Sequence, residues 1–168
     1  GILDYIRRLG ALVGEGARAA AWADALARDL DAIATRAPGM PRPRVYFEEW
    51  DEPAISGIRW VSELMQISGG DDCFPELAAQ PLGKDRIIAD PLEIARRAPD
   101  IMIGSWCGKK FRPEKVTARP GWQDVPAVRD GQLFEIKSPD ILSPGPAALT
   151  DGAEQLHRIV MDWMARHG

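Results

Sequence analysis

The chain has 168 residues, of which 45% are hydrophobic and 27% charged, and its formal net charge is −4 at pH 7. That length fits one domain of roughly 100–200 residues, with enough apolar material for a core of fair size. The acidic balance and the lack of any basic run longer than Lys109-Lys110 argue against a nucleic-acid partner, and no apolar run approaches the roughly 20 residues of a membrane span.

Residues 2–13 set Ile2, Tyr5, Ile6, Leu9, Leu12 and Val13 at helical spacing, and Gly14 with Gly16 ends the pattern. The helical pattern is already under way at Gly1 and no signal peptide is present. The chain is therefore expected to be a fragment or a processed product, which leaves its compartment open. A second helix is expected over 17–37, with Trp22, Leu26, Leu30 and Ile33 as its stripe and Asp24 four residues ahead of Arg28. Its narrow apolar face suits a spine laid across other elements. Residues 38–43, Pro-Gly-Met-Pro-Arg-Pro, read as a stiff linker.

After the linker, Arg44 to Trp50 reads as a strand closed by Asp51-Glu52-Pro53. Ser56 is the expected N-cap of a helix carrying Val61, Leu64 and Met65 and stopped by Gly69-Gly70. A short strand-like piece follows over 73–77. Asp90-Pro91-Leu92-Glu93 is a helix start with N-cap Asp, Pro at the first position and Glu closing a capping box. Ile101-Met-Ile103, after the turn signal Ala98-Pro-Asp100, has the continuous hydrophobicity of a buried parallel strand. Residues 112–116 suggest one helical turn, 120–122 a bend, and 129–131 a tight turn into a strand over 133–136. Ser138 to Pro146 reads as a loop. A last helix from about Pro146 presents Leu149, Ala153, Leu156, Ile159, Val160 and Trp163 on one face.

Strands and helices alternate from Arg44 onward, which predicts an α/β fold: a mostly parallel, doubly wound, Rossmann-like sheet with helices on both faces. The expected organisation is a helical segment at 1–37, a linker at 38–43 and an α/β lobe at 44–168.

Catalytic constellations are poor. His157 and His167 both lie on the last helix and read as surface groups, and no nucleophile elbow, Walker loop or dinucleotide fingerprint is present. Cys73 and Cys107 lack the companions of a zinc site and are expected to be separate thiols. Neither a resident metal nor a cofactor is expected. What the chain offers is aromatic and apolar groups at strand ends, where open α/β sheets collect ligands. Trp50 ends the first strand, Trp60 sits early in the next helix, and Trp106 and Cys107 end the central strand with Phe111 beyond. Ile141 and Leu142 lie in the loop after the last strand. Gly104 and Gly108 are expected to leave room beside Trp106, whose ring should be partly exposed and cheap to remove.

Several segments carry a resemblance: Tyr46-Phe-Glu-Glu-Trp-Asp-Glu-Pro53, Ser68-Gly-Gly70, Ala98-Pro-Asp100, Ser105-Trp-Cys-Gly108, Arg119-Pro-Gly-Trp122, Pro126-Ala-Val-Arg-Asp-Gly131 and Ile141-Leu-Ser-Pro-Gly-Pro146. Together they resemble the C-terminal half of the periplasmic substrate-binding proteins of cobalamin-type ABC importers, a family that also carries ferric siderophores and haem. The Ser-Trp-Cys-Gly and Pro-Gly-Pro segments favour its cobalamin-binding-like branch. Residues 1–37 resemble the end of an N-terminal lobe followed by the rigid interlobe helix.

The resemblance implies a non-enzymatic protein that captures a corrinoid between two lobes and delivers it to a permease of the inner membrane. It implies a periplasmic or otherwise extracytoplasmic location, and an N-terminal lobe outside this chain. The runner-up ligand is a ferric siderophore or haem, an option that Arg59, Lys109 and Lys110 keep open. Relatives dock on the permease through an acidic residue on each lobe, so Asp140, Glu48 or Glu49 is expected in that role. From other classes, the rivals are an enzyme lobe using Cys107 as nucleophile and a fragment that self-assembles into a homo-oligomer through its exposed lobe face.

Overall fold

A computed structural model describes residues 1–36 and 39–167; the expected helix end at Ala37 and linker start at Pro38 lie outside them. Two helices lead, α1 (Ile2–Leu12) and α2 (Gly16–Ala34). They cross closely because the contact is built of small residues: a Cβ on Gly10 would lie 2.1 Å from that of Ala19. The buried stripe of α2 is Ala19, Ala23, Leu26 and Leu30, with Ile33 packed against the same core; Leu26, Leu30 and Ile33 lie as expected, and Trp22 is the correction. Trp22 points away and is exposed, as are Tyr5, Leu9, Leu12 and Val13 around it.

The sheet is the organising layer. β1 (Arg44–Asp51) is paired in parallel with β4 (Ile101–Gly104), which pairs in parallel with β5 (Leu133–Glu135). On the other edge of β1 lie β3 (Asp71–Asp72), parallel, and β2 (Ala54–Ser56), antiparallel. Arg44–Trp50 and the Ile101 strand thus share one sheet, as the alternation predicts. β2 is new. The chain turns back after Asp51 into a hairpin, with a register shift between Glu48 and Trp50 that marks a bulge at Glu49. Ser56 therefore belongs to this strand, and the N-cap of α3 (Arg59–Ile67) is Ile58, whose N–H is met by Glu49 Oε1 at 2.8 Å.

Side-chain alternation divides the core. Val45, Phe47, Ile101 and Ile103 face a layer made by α2, α3 and α9 (Ala153–His167). Tyr46 and Met102 face Phe74, Ile94, Trp106, Phe111, Val116 and Trp122 on the short elements α4 (Pro75–Ala78), α5 (Pro91–Arg96), α6 (Pro113–Thr117), α7 (Pro126–Arg129) and their loops. A strand buried on both faces has no polar alternation, and Ile101–Gly104 is wholly buried.

The remaining local expectations are settled by particular bonds. Asp90 caps α5, accepting from the Leu92 N–H at 2.9 Å, while Glu93 turns to Arg96 and Arg97 instead of closing a capping box. The piece at 73–77 is a helical turn preceded by β3, residues 126–129 form a helical turn, and the expected 138–146 loop contains α8 (Ser138–Ile141). A π-helical turn, Ala148–Gly152, leads into α9. His157 is buried on α9 rather than superficial, and burial together with the nearby Arg36 charge lowers its pKa. Among the described residues no helix is long and apolar enough to cross a membrane.

Candidate ligand-binding face

The carboxyl ends of β1, β4 and β5 lie side by side, and the side chains there fall into three groups. The first is buried. Glu48 shares the face of Tyr46 because the two are two residues apart in a strand, and it is completely enclosed. Its carboxylate accepts from Tyr46 Oη at 2.8 Å, Trp106 Nε1 at 3.0 Å, and the Arg119 guanidinium at 2.9 and 2.7 Å. A carboxylate taken out of water is tolerated only when paired and hydrogen-bonded in this way. Burial and the adjacent Glu48 charge push the Tyr46 hydroxyl well above its ordinary pKa. Burial alone would lower Arg119, but the bonds to Glu48 raise it on balance.

The second group surrounds Asp51, whose side chain is 3% exposed. Lys109 forms an ion pair with one carboxylate oxygen, and Lys115 lies 3.6 Å from the other. The Lys109 ammonium also sits 4.0 Å above the Trp50 ring and 5.3 Å from that of Trp106. Burial raises the Asp51 pKa, but the Lys109 bond, a backbone N–H and the two lysine charges outweigh it and leave it low.

The third group is an open cleft of about 520 Å³. Pro139 is exposed in its lining with the buried Ile136 and Trp106 behind, and Lys109, Lys110, Lys137 and Glu135 give it a charged rim. Glu135 is partly engaged, accepting from the Phe111 N–H at 3.1 Å. No group of His, Cys, Asp and Glu suited to a metal ion occurs among the described residues.

The expected site residues divide accordingly. Trp106 corrects the expectation of an exposed ring: it is 3% exposed, stacked edge-on with Phe111 at 5.0 Å and tied to Glu48. The space expected beside Gly104 is filled from within, since a Cβ there would lie 2.0 Å from Phe111 Cδ2. Phe111 is buried as well. Trp50 is half-buried at the edge of the face, under Lys109. Trp60, Ile141 and Leu142 belong to the other layer: Trp60 Nε1 donates to the Ile141 carbonyl at 2.8 Å, and all three pack in the α2–α3–α9 core. Cys107 is an exposed free thiol and Cys73 a buried one, pushed up to about 12 by burial first and by the Asp72 charge.

Of the three acids expected to dock, Glu48 is excluded from any surface role by its burial. Glu49 is largely covered and ion-paired with Arg86 at 2.7 Å, and Asp140 is half-buried, accepting from Gln155 at 3.1 Å. Sequence reasoning passed over Arg119, Asp51, Lys115 and Lys137. The one available signal was parity: Tyr46 and Glu48 on one strand face require a buried cation for the acid.

A family model described as "Periplasmic binding protein" matches residues 1–139. No curated protein matches the chain. Among solved structures, the chain is similar to a periplasmic binding protein from Veillonella parvula, at 21% identity and a TM-score of 0.76, over 95% of this chain and 55% of that one. It is similar to the periplasmic haem-binding protein RhuT from Roseiflexus sp. RS-1, at 20% identity and a TM-score of 0.69, over 94% of this chain and 62% of that one. It is also similar to the periplasmic vitamin B12-binding protein BtuF of Vibrio cholerae, at 19% identity and a TM-score of 0.70, over 96% of this chain and 61% of that one. The chain thus spans between 55% and 62% of the length of these relatives.

Proposed function

The chain belongs to the periplasmic binding protein family, and from that premise we propose that it is one lobe of the substrate-binding component of an ABC importer, gripping an anionic metal chelate such as haem or a ferric siderophore. The observation that carries this reading is the cleft rim. Lys110 and Lys137 line it, and among the described residues neither is in an ion pair. Three lysines against the single carboxylate of Glu135 leave the rim with a cationic excess, which favours a ligand that brings negative charge. The exposed Pro139, backed by the buried Ile136 and Trp106, offers apolar contact to the body of such a chelate, and its carboxylate or catecholate groups would meet the lysines.

A corrinoid is the second reading. It is favoured by the Ser105-Trp-Cys-Gly108 resemblance and by the similarity to a vitamin B12-binding protein. With the Trp106 ring buried, however, the indole surface it would use is reduced to Trp50. In the two-lobed reading, the second lobe covers the apolar face of Tyr5, Leu9, Leu12, Val13 and Trp22. The protein works outside the cytoplasm and docks on its permease with Asp140 as the acid on this lobe. Its role is non-covalent carriage: both histidines lie on α9, across the sheet from the Cys107 loop.

Quenching of tryptophan emission by haemin, a ferric triscatecholate and cyanocobalamin tests the ligand class. One wall binds weakly, because much of the ligand stays in water. Both anionic chelates should nevertheless saturate the chain and bind about tenfold less tightly after K110E/K137E charge reversal. Cobalamin binding more tightly than either, and untouched by the reversal, would transfer the assignment to a corrinoid.

A further inference from the structure

Asp51 has two lysines where one would neutralise it, and they differ in position. Lys109 lines the cleft and is bonded to one carboxylate oxygen. Lys115 lies outside the cleft, in a neighbouring hollow that Asp51 also lines. The carboxylate oxygen facing Lys115 is buried and has no hydrogen-bond partner, although the ammonium is only 3.6 Å away. A charge-assisted bond needs about 2.8 Å, so a shift of less than about 1 Å would complete it. Both lysine side chains reach into solvent, at 35% and 49% exposure, whereas Asp51 is buried at the end of β1.

We propose that an anionic chelate entering the cleft draws Lys109 off Asp51 while Lys115 closes onto the vacated carboxylate, so that Lys109 acts as a specificity-determining cation for negatively charged ligands. The inference rests on the anionic-ligand reading above. Its physical point is the second lysine. Withdrawing the sole cation from a buried carboxylate is strongly unfavourable, and an arrangement with Lys109 as the one cation would hold that side chain away from any ligand. Lys115 removes this obstacle. A neutral ligand offers Lys109 nothing, and Lys109 then stays over Trp50 with Asp51. The Trp50 ring, 4.0 Å below the ammonium, reports the exchange, because its emission changes when the charge above it leaves.

Titration of the full chain with a ferric triscatecholate decides the matter, with cyanocobalamin as the uncharged control. Lys109→Met should weaken triscatecholate binding about tenfold. Lys115→Met should weaken it about threefold although the residue lies outside the cleft, and Asp51→Asn, which frees Lys109, should tighten it by a similar factor. None of the three should move the control. Equal binding by wild type and Lys115→Met, or weaker binding by a folded Asp51→Asn, overturns the exchange and leaves the ligand reading intact. Should Asp51→Asn fail to fold, Lys115→Met decides alone, since its side chain is half in solvent. A wild-type chain that binds no triscatecholate saturably overturns the exchange and the anionic-ligand reading together.

Discussion

Glu48 is the residue on which the carboxyl end of the sheet depends. Three of its four hydrogen bonds join β1 to the loop after β4 and to the turn after α6, segments 58 and 71 residues away in sequence. Arg119→Ala removes the cation and leaves the carboxylate enclosed, so a loss of about 3–5 kcal/mol is expected, the range for breaking a buried pair from one side. Trp106→Ala should cost a similar amount, about 3–5 kcal/mol for a buried tryptophan, and it also deprives Glu48 of a donor. Urea unfolding measures both. A loss under about 1 kcal/mol for Trp106→Ala would mean the indole is not part of this core. The binding-face reading of Trp106 fails for a reason at this scale. Strand-end position locates the Cα, but nothing local reveals that Phe111 folds back over Gly104 or that Glu48 awaits the indole nitrogen.

At the scale of elements, the chain advertised what is local. The run Ile101-Met-Ile, the Asp90-Pro91 start of α5 and the alternation from Arg44 onward are encoded within a few residues, and each forms where expected. The β2 hairpin was hidden because Asp51-Glu52-Pro53 ends a strand equally well whether the chain leaves or turns back. The bulge at Glu49 shows only once Ser56 is paired with Glu48. On α2, Leu26 and Leu30 are buried as expected, but Trp22 was misplaced for a different reason: hydrophobicity favours it, whereas a close crossing selects alanine. Glycine substitutions test that crossing. Gly10→Ala improves helix propensity by about 1 kcal/mol, yet its new methyl would lie 2.1 Å from Ala19 Cβ. Overpacking of about 1–3 kcal/mol should prevail, and the melting temperature should fall. Gly16→Ala, at the start of α2, meets nothing closer than 3.8 Å and should leave it unchanged or raise it. A melting temperature that rises for Gly10→Ala would show that the α1–α2 contact is looser than described.

For the molecule as a whole, the two groups most displaced by burial sit on one side of the sheet, and they set an alkaline limit. Cys73 is raised from 9.0 to about 12 and Tyr46 well above 10.0, in each case first by burial and then by neighbouring acids. Both stay protonated in the folded chain over a range where the unfolded chain releases its protons. The unfolded state then binds fewer protons than the native one, so stability must fall as pH rises. The contribution of Cys73 is complete below about pH 9 and declines above it until the folded value is reached; that of Tyr46 begins to decline near pH 10. Each proton makes the slope steeper by about 1.4 kcal/mol per pH unit. The urea midpoint should therefore fall modestly from pH 9 to 10 and more steeply beyond. Cys73→Ala should flatten the first interval, at the cost of a small cavity in the layer that holds Phe74. Tyr46→Phe should flatten only the second, although it removes one of the donors to Glu48 and lowers the midpoint at every pH. Because the comparison is of slopes, those constant losses drop out, and so does the titration of exposed lysines common to all three proteins. Parallel pH profiles for wild type and both variants would show that neither group keeps its proton in the fold, and that this side of the core admits water.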